Sequence, residues 1–207
     1  MTHRLGLRAW ATGALVLAAA SACGGTTENA DPSVPPSATV TSPSVATTSA
    51  SPTSPSEAAG AYAATLMHRY YAVLDSVRQR KKEPISRLAS VMTSTELTTE
   101  RRLVMRERQQ GDRQVGSTRI AALTVQAVNL DNSDPSAGKV PTVTIDVCWD
   151  VSKVDVRGPT GHSIVLPSRP DRAWTRFIVA NYHWSTDRSG GWRVADGSDL
   201  KKPPCVS

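Results

Sequence analysis

The sequence predicts an α+β domain in which N-terminal helices pack on a curved antiparallel sheet, preceded by a disordered linker. Apolar residues recur at helical spacing between residues 57 and 110, and from residue 120 onward they alternate with a period of two. A tract rich in Ser, Thr and Pro precedes the first helical segment. We therefore divide the chain into a signal segment (1–22), a linker segment (23–56) and an α+β domain (57–207).

The first 22 residues have the features of a lipoprotein signal peptide. Arg4 and Arg8 are followed by an uncharged run from Ala9 to Ala20, shorter than the roughly 20 apolar residues that a membrane-spanning helix needs. The run ends in Ala20-Ser21-Ala22-Cys23, which resembles the bacterial lipobox, whose cysteine is acylated and becomes the new N-terminus. An ordinary signal-peptidase site, giving a secreted and unanchored protein, is the alternative.

Acylation of Cys23 would place the mature chain on the extracytoplasmic face of the cell membrane, with membrane lipid as its first partner. Each buried CH₂ of an acyl chain such as palmitate contributes about 0.8 kcal/mol, so a doubly acylated terminus is a stable anchor. The formal charge of +6 falls to +4 once Arg4 and Arg8 leave with the signal. Such a mild excess on an exported protein predicts no nucleic-acid partner.

Residues 24–56 have the composition of a flexible tether. They contain six Pro, fifteen Ser or Thr, two charged side chains and no aromatic residue. A segment so poor in large apolar groups cannot offset the entropy lost on ordering, so we expect it to be disordered. The same composition suits O-glycosylation.

Two helices are expected before residue 92. From Glu57 to Lys82 apolar residues recur at helical spacing, and Pro84 follows the basic end of this segment, as is typical where a helix stops. Ile85 to Val91 then indicates a short second helix.

A third helix is expected to run from Thr93 to about Gln110 and to end at Gly111. Thr93 and Glu96 have capping-box spacing, in which Thr93 accepts from the backbone and Glu96 reaches back. A first cluster of basic residues complements the C-terminal end of the first helix, and a second cluster is interleaved with Glu96, Glu100 and Glu107, which indicates a solvated helix face. Contact with anionic headgroups or acidic wall polymers is the alternative. The basic residues are Arg78, Arg80, Lys81, Lys82, Arg101, Arg102, Arg106, Arg108 and Arg113.

After Gly116 the pattern predicts strands. They are expected over Ile120–Leu130, Val143–Val151 and Ala173–Ser185, with a Gly-rich turn returning the chain through Trp192–Val194 as a hairpin. The second strand alternates most clearly, with Trp149 on its apolar face and Cys148 on its polar face.

The order of three helices followed by long strand pairs, closing on Gly-Gly-Trp-Arg-Val-Ala-Asp at residues 190–196, resembles the nuclear transport factor 2-like, or ketosteroid-isomerase-like, cone fold. With the lipobox and tether, the chain resembles small actinobacterial surface lipoproteins. The resemblance covers residues 58–205 and implies a cystatin-like roll enclosing a pocket that some members use for catalysis and many for binding or assembly. The candidate pocket residues are Tyr62, Leu66, Tyr70, Trp149 and Trp174.

With Cys23 acylated, Cys148 and Cys205 remain, and an exported protein favours a disulfide between them. By strand parity this bond would hold the C-terminal tail against the face of the sheet turned away from the helices. Closing such a loop stabilises by roughly 4 kcal/mol in the chain-entropy model. A nucleophilic Cys148 and an intermolecular bridge are the alternatives.

The sequence contains no recognisable catalytic or metal-binding motif. Asp146 and Asp150 share the face of Cys148, where we expect them to be solvated, and the histidines show no metal-ligand spacing. No carboxylate falls on the inward parity of the strand that holds Trp149, which argues against the acid–base chemistry of isomerases with the resembled fold. We therefore expect no cofactor and no metal.

The expected function is that of a membrane-anchored, non-enzymatic module that binds a small apolar or amphipathic molecule or an envelope protein. Two alternatives remain open. One is an isomerase or dehydratase that uses a tyrosine and an inward-facing acid whose pKa is strongly raised. The other is an accessory module for an envelope synthase or kinase, marked by an exposed apolar patch.

Overall fold

The computed structural model of this protein describes residues 54–206. The predicted signal peptide, Cys23 and most of the linker lie outside the described residues. Within them the fold is α+β, as predicted, with helices first and antiparallel strands afterwards.

The first helix, α1, spans Pro55–Gln79 and begins two residues before the predicted start. Ser54 caps it: its side chain accepts from the backbone N–H of Glu57, and the Glu57 carboxylate accepts from the N–H of Ser54 at 2.9 Å. Pro55 suits the first helical position, since its missing N–H would have no intrahelical partner there.

A 3-10 helix spans Ile85–Ser90 and the second α-helix, α2, spans Ser94–Gln110. Gly111 ends α2 with a φ of +81°, a left-handed conformation that favours glycine. The predicted capping box is wrong, because the Thr93 side chain makes no capping hydrogen bond and Glu96 is buried against Tyr70.

Within residues 54–206, six strands follow the helices: β1 (Arg113–Val115), β2 (Arg119–Asn129), β3 (Thr142–Asp150), β4 (Asp155–Arg157), β5 (Arg172–Asn181) and β6 (Trp192–Leu200). They form a four-stranded antiparallel sheet in the order β2-β3-β5-β6 and a two-stranded sheet of β1 and β4. The small sheet was missed because three-residue strands carry little periodic signal.

The predicted faces of β3 are confirmed. Val143, Ile145 and Val147 are fully buried in the core beneath the helices, and Trp149 packs against the same cluster. The last predicted strand pair differs in length: β5 ends at Asn181, before the predicted Ser185, and β6 continues to Leu200.

The opposite face of β3 is covered, which contradicts the prediction that its acidic residues are solvated. Asp146 and Asp150 are only 2% and 3% exposed. Arg176 forms two hydrogen bonds with Asp146, at 2.7 and 3.0 Å, and Arg172 donates to Asp150 at 3.0 Å. Hydrogen bonds from Arg176 lower the pKa of Asp146. Hydrogen bonds from Ser152 lower the pKa of Asp150, and Arg172 acts in the same direction. Both carboxylates are therefore held in the ionised form.

The predicted Cys148–Cys205 disulfide is present, with 6.2 Å between the two Cα atoms. It holds the C-terminal tail against the face of the sheet turned away from the helices. There the Lys202 ammonium lies 3.7 Å from the centre of the Trp174 ring, a cation–π contact, and 3.3 Å from a carboxylate oxygen of Asp146. Among residues 54–206, none of the helices is long and apolar enough to cross a membrane.

Candidate functional site

A pocket of about 450 Å³ lies between α1, α2 and the helix-facing side of the main sheet. We call it the acid pocket, because three carboxyl groups line it together with aromatic and hydroxyl side chains. Its lining includes Tyr70 and Tyr71 from α1, Glu96, Thr99 and Glu100 from α2, Trp149 from β3, Thr175 and Phe177 from β5, and Gly197 and Asp199 from β6.

Tyr70 and Glu96 join the two helices at the inner end of this pocket. The Tyr70 hydroxyl donates a hydrogen bond to Glu96 Oε1, and the two residues are 3% and 8% exposed. Burial, followed by the nearby charges of Glu96 and Glu100, raises the pKa of Tyr70 well above its usual range. Burial also raises the pKa of Glu96, although the hydrogen bond from Tyr70 opposes that rise.

Glu100 lies one turn after Glu96 on α2 and faces the same pocket. Burial, strengthened by the charge of Glu96, raises the pKa of Glu100 to about 7, while Arg78 acts in the opposite direction. Its Oε2 atom is buried and has no hydrogen-bond partner. Glu100 therefore exchanges its proton near neutral pH, and one of its carboxyl oxygens is unsatisfied.

The opposite wall is a hydrogen-bonded chain across three strands. The Trp149 indole N–H donates to Thr175 Oγ1 at 3.0 Å, and the Thr175 hydroxyl donates to Asp199 Oδ1 at 2.9 Å. Because each link fixes the next, the indole is held in one orientation along the pocket wall.

The apolar part of the pocket consists of Tyr70, Tyr71 and Phe177. The ring centres of the two tyrosines lie 5.0 Å apart. The centre of the Phe177 ring lies 5.4 Å from that of Tyr70 and 6.4 Å from that of Tyr71. Gly197 makes this packing possible, since a Cβ there would lie 3.0 Å from Phe177 Cε1 and 3.1 Å from Glu96 Oε2. The pocket thus combines an aromatic wall with an acidic one.

Two of the five candidate pocket residues, Tyr70 and Trp149, line the acid pocket. Leu66 is a buried core residue, and Tyr62 is 43% exposed beside Trp184 in a separate shallow depression. Trp174 lies on the other face of the sheet, opposite Cys148 in the strand register.

Sequence reasoning missed Glu96, Glu100 and Asp199. The signal was present for the two glutamates, because Glu96, Glu100 and the fully buried Val104 are spaced four residues apart and share one stripe of α2. The interpretation of Glu96 as a capping residue and of Glu100 as a solvated one concealed that stripe. Asp199 lies on a strand that the sequence analysis ended too early.

A second pocket, of about 550 Å³, lies where α1 meets the start of β2. Its buried carboxylate, Asp75, accepts from Gln114 Nε2 at 2.6 Å, from the Thr118 N–H at 2.8 Å and from the Thr118 hydroxyl at 3.0 Å. These bonds occupy both oxygens, so Asp75 joins α1 to the segment before β2 and is less suited to bind a ligand. Within residues 54–206, no three His, Cys, Asp or Glu residues are grouped so as to hold a metal ion.

No protein-family model matches the chain, and no curated protein matches it. Among solved structures, it is similar to the intermembrane-space region of the chloroplast protein ARC6, at 17% sequence identity and a TM-score of 0.45. The match covers 67% of this chain and 93% of that one.

Proposed function

We propose that this chain is an extracytoplasmic lipoprotein, anchored through acylated Cys23, whose domain binds a small amphipathic molecule in the acid pocket. The apolar run before Cys23 and the lipobox-like sequence support the anchor. The Cys148–Cys205 disulfide supports an oxidising compartment, because such bonds persist outside the reducing cytosol. The nuclear transport factor 2-like resemblance is part of the same proposal.

The observation that carries the binding role is the unpartnered Oε2 of Glu100 in a pocket of about 450 Å³. Buried polar atoms normally have a hydrogen-bond partner, and pockets of about 300 to 1,000 Å³ are typical for small ligands. An aromatic or alicyclic body would stack against Tyr71, Phe177 and Trp149. A hydroxyl or amino group at its polar end would bond to Glu100, which explains why an amphipathic molecule fits better than a purely apolar one.

Native mass spectrometry of the full chain, released by mild detergent from its own membranes, tests both parts of the proposal. We expect the acyl mass on Cys23 and a reproducible small-molecule adduct. In a Thr99→Trp variant the indole would fill the pocket, and the adduct should disappear. Thr98→Trp is the matched control, because Thr98 is also exposed on α2 but does not line the pocket.

An unmodified mature terminus would contradict the anchor. A chain without an adduct, or one whose adduct survives Thr99→Trp, would contradict binding in the acid pocket. A second protein in the spectrum, with no small molecule, would favour an interaction module instead.

A second candidate is an acid–base enzyme of the isomerase or dehydratase type, and the pKa of about 7 for Glu100 favours it. A general base works best when its pKa is near the operating pH. In an isomerisation, Glu100 would take a proton from a carbon beside a carbonyl and return it to another carbon of the same molecule, so no co-reactant is needed.

Incubating the captured molecule with the protein in D₂O distinguishes the two candidates. An enzyme would introduce deuterium into the ligand, and Glu100→Gln would abolish that exchange. A binding protein would return the ligand unlabelled.

A further inference from the structure

A smaller and strongly basic pocket lies where the C-terminal ends of α1 and α2 meet the β1–β4 sheet. Its volume is about 240 Å³. We call it the basic pocket, after the five cations that line it: Arg78, Lys81, Arg108, Arg113 and Arg157. Arg78 also lines the acid pocket, so the two pockets are neighbours.

The basic pocket retains positive charge after its own carboxylate and the two carboxylates paired with its arginines are counted. Asp112 is its one acidic lining residue. Arg78 is paired with Glu107, and Arg157 Nε lies 3.1 Å from Asp155 Oδ2. The pocket therefore keeps an excess of two positive charges. In the part of the chain that the structure describes, Lys81 and Arg113 form no ion pair, so both are available to an anion.

Arg108 is the preorganised member of the set. Its Nη2 donates to the carbonyl oxygens of Val77 and Glu83 at 2.8 and 2.7 Å, so it caps the end of α1 and its guanidinium is held in place. Its Nε is buried and has no hydrogen-bond partner. Arginine guanidinium groups are common in phosphate sites because their planar set of donors matches phosphate oxygens, and this one is held in place.

The small volume of the basic pocket and the close approach of its walls restrict which molecules can enter. Gly111 has a positive φ, and a Cβ there would come within 3.2 Å of Pro159, so the walls approach closely. A volume of about 240 Å³ is below that of typical drug-sized ligand sites but large enough for a tetrahedral anion. An excess of two positive charges matches a phosphate monoester dianion.

We propose that the basic pocket binds a phosphate group. Two sources share this chemistry: a soluble phosphate ester and the headgroup of an anionic phospholipid. The pocket is at the end of α1 opposite to Ser54, and a helix of 25 residues extends over about 37 Å. A lipid headgroup would therefore require the domain to turn its α1 C-terminus toward the membrane.

To test this, inorganic phosphate is titrated into the full chain in mild detergent, and binding is monitored by amide NMR chemical shifts. Chloride keeps the ionic strength constant at about 0.15 M. We expect saturable shifts at Gly111 and Gly158. The double variant Lys81→Gln/Arg113→Gln should weaken binding at least about tenfold, because two charge-assisted contacts are lost. The matched control, Lys82→Gln/Arg102→Gln, removes the same charge from exposed residues outside the pocket and should bind as the parent chain does.

Shifts that do not saturate, or equal weakening in both double variants, would overturn the proposal and indicate non-specific attraction. Repeating the titration in nanodiscs identifies the source. If phosphatidylglycerol discs shift the amide signals of the same glycines and compete with phosphate, while phosphatidylcholine discs do neither, the ligand is a lipid headgroup. If phosphate binds equally well in the two kinds of disc, the ligand is a soluble phosphate ester. The phosphate titration depends neither on the lipid anchor nor on the acid pocket.

Discussion

The Tyr70 hydroxyl donates a hydrogen bond to Glu96 across the interface between α1 and α2. Both side chains are almost completely buried, so this bond joins the helices where neither partner can use water instead. Glu100 lies one helical turn away, and its charge state depends on that of Glu96. The stability of the helix pair and the protonation of the acid pocket are therefore linked.

Replacing Tyr70 with Phe should lower the free energy of unfolding by about 1 to 3 kcal/mol, because Glu96 loses its donor while it remains buried. Urea denaturation of the mature chain measures this loss. Tyr62→Phe, at an exposed tyrosine, should change stability by less than about 0.5 kcal/mol. Equal stability of the Tyr70→Phe and parent chains would mean that the Tyr70–Glu96 hydrogen bond contributes nothing to the free energy of unfolding.

Glu100 should make the domain less stable as pH rises from about 4.5 to about 7. Its pKa in the folded state is about 7 against an ordinary value of 4.5, so over this range the folded chain binds more protons than the unfolded chain does. The loss amounts to about 3 kcal/mol at most and levels off above pH 7. Glu100→Gln should remove it, as measured by denaturation at several pH values.

Asp171→Asn is the control for this pH dependence, because Asp171 is an exposed carboxyl away from the acid pocket. It should leave the slope between pH 4.5 and 7 unchanged. Any slope left in Glu100→Gln is expected to come from Glu96, whose pKa is also raised. An undiminished slope in Glu100→Gln would contradict the assignment to Glu100.

The disulfide should stabilise the fold by roughly 4 kcal/mol, since it restricts the unfolded chain across a sequence separation of 57 residues. Reduction should therefore lower the urea midpoint of the parent chain. The double variant Cys148→Ala/Cys205→Ala should unfold at the reduced midpoint and should not respond to reductant. A parent midpoint that is insensitive to complete reduction would refute this role.

Gly197→Ala should destabilise the domain by about 1 to 3 kcal/mol, because the added methyl group would crowd both Phe177 and Glu96. Near-ultraviolet circular dichroism should change with it, since Phe177 packs against Tyr70 and Tyr71. Ser198→Ala, at the exposed neighbouring position, is expected to be neutral. If both variants are equally stable, β6 has room to move away from α2.

Much of the fold could be predicted because its signals are local. The spacing of apolar residues identifies α1 as a helix and β3 as a strand, and Gly111 marks the end of α2. The boundaries of β5 and β6 were less accurate, because their lengths depend on pairing with each other rather than on their own residues.

The candidate site was predicted less well. Tyr70 and Trp149 were named because the resemblance to the cone fold implies a pocket between the first helix and the strand that holds Trp149, and both line the acid pocket. Glu96 and Glu100 were not, since a glutamate on a helix is usually solvated and burial of its charge is costly. Asp146 and Asp150 were assigned to the correct face, yet only the side chains of neighbouring strands and the C-terminal tail show that this face is covered.

The sequence by itself determined the order of the helices and the four long strands and the inward face of β3, because each follows from periodicity or parity. It also predicted the pairing of Cys148 with Cys205, once Cys23 is taken to be acylated. The tertiary structure decided which side of α2 is buried. That choice depends on where α1 supplies a tyrosine hydroxyl and where Gly197 lets β6 approach, and both are contacts between residues far apart in the chain.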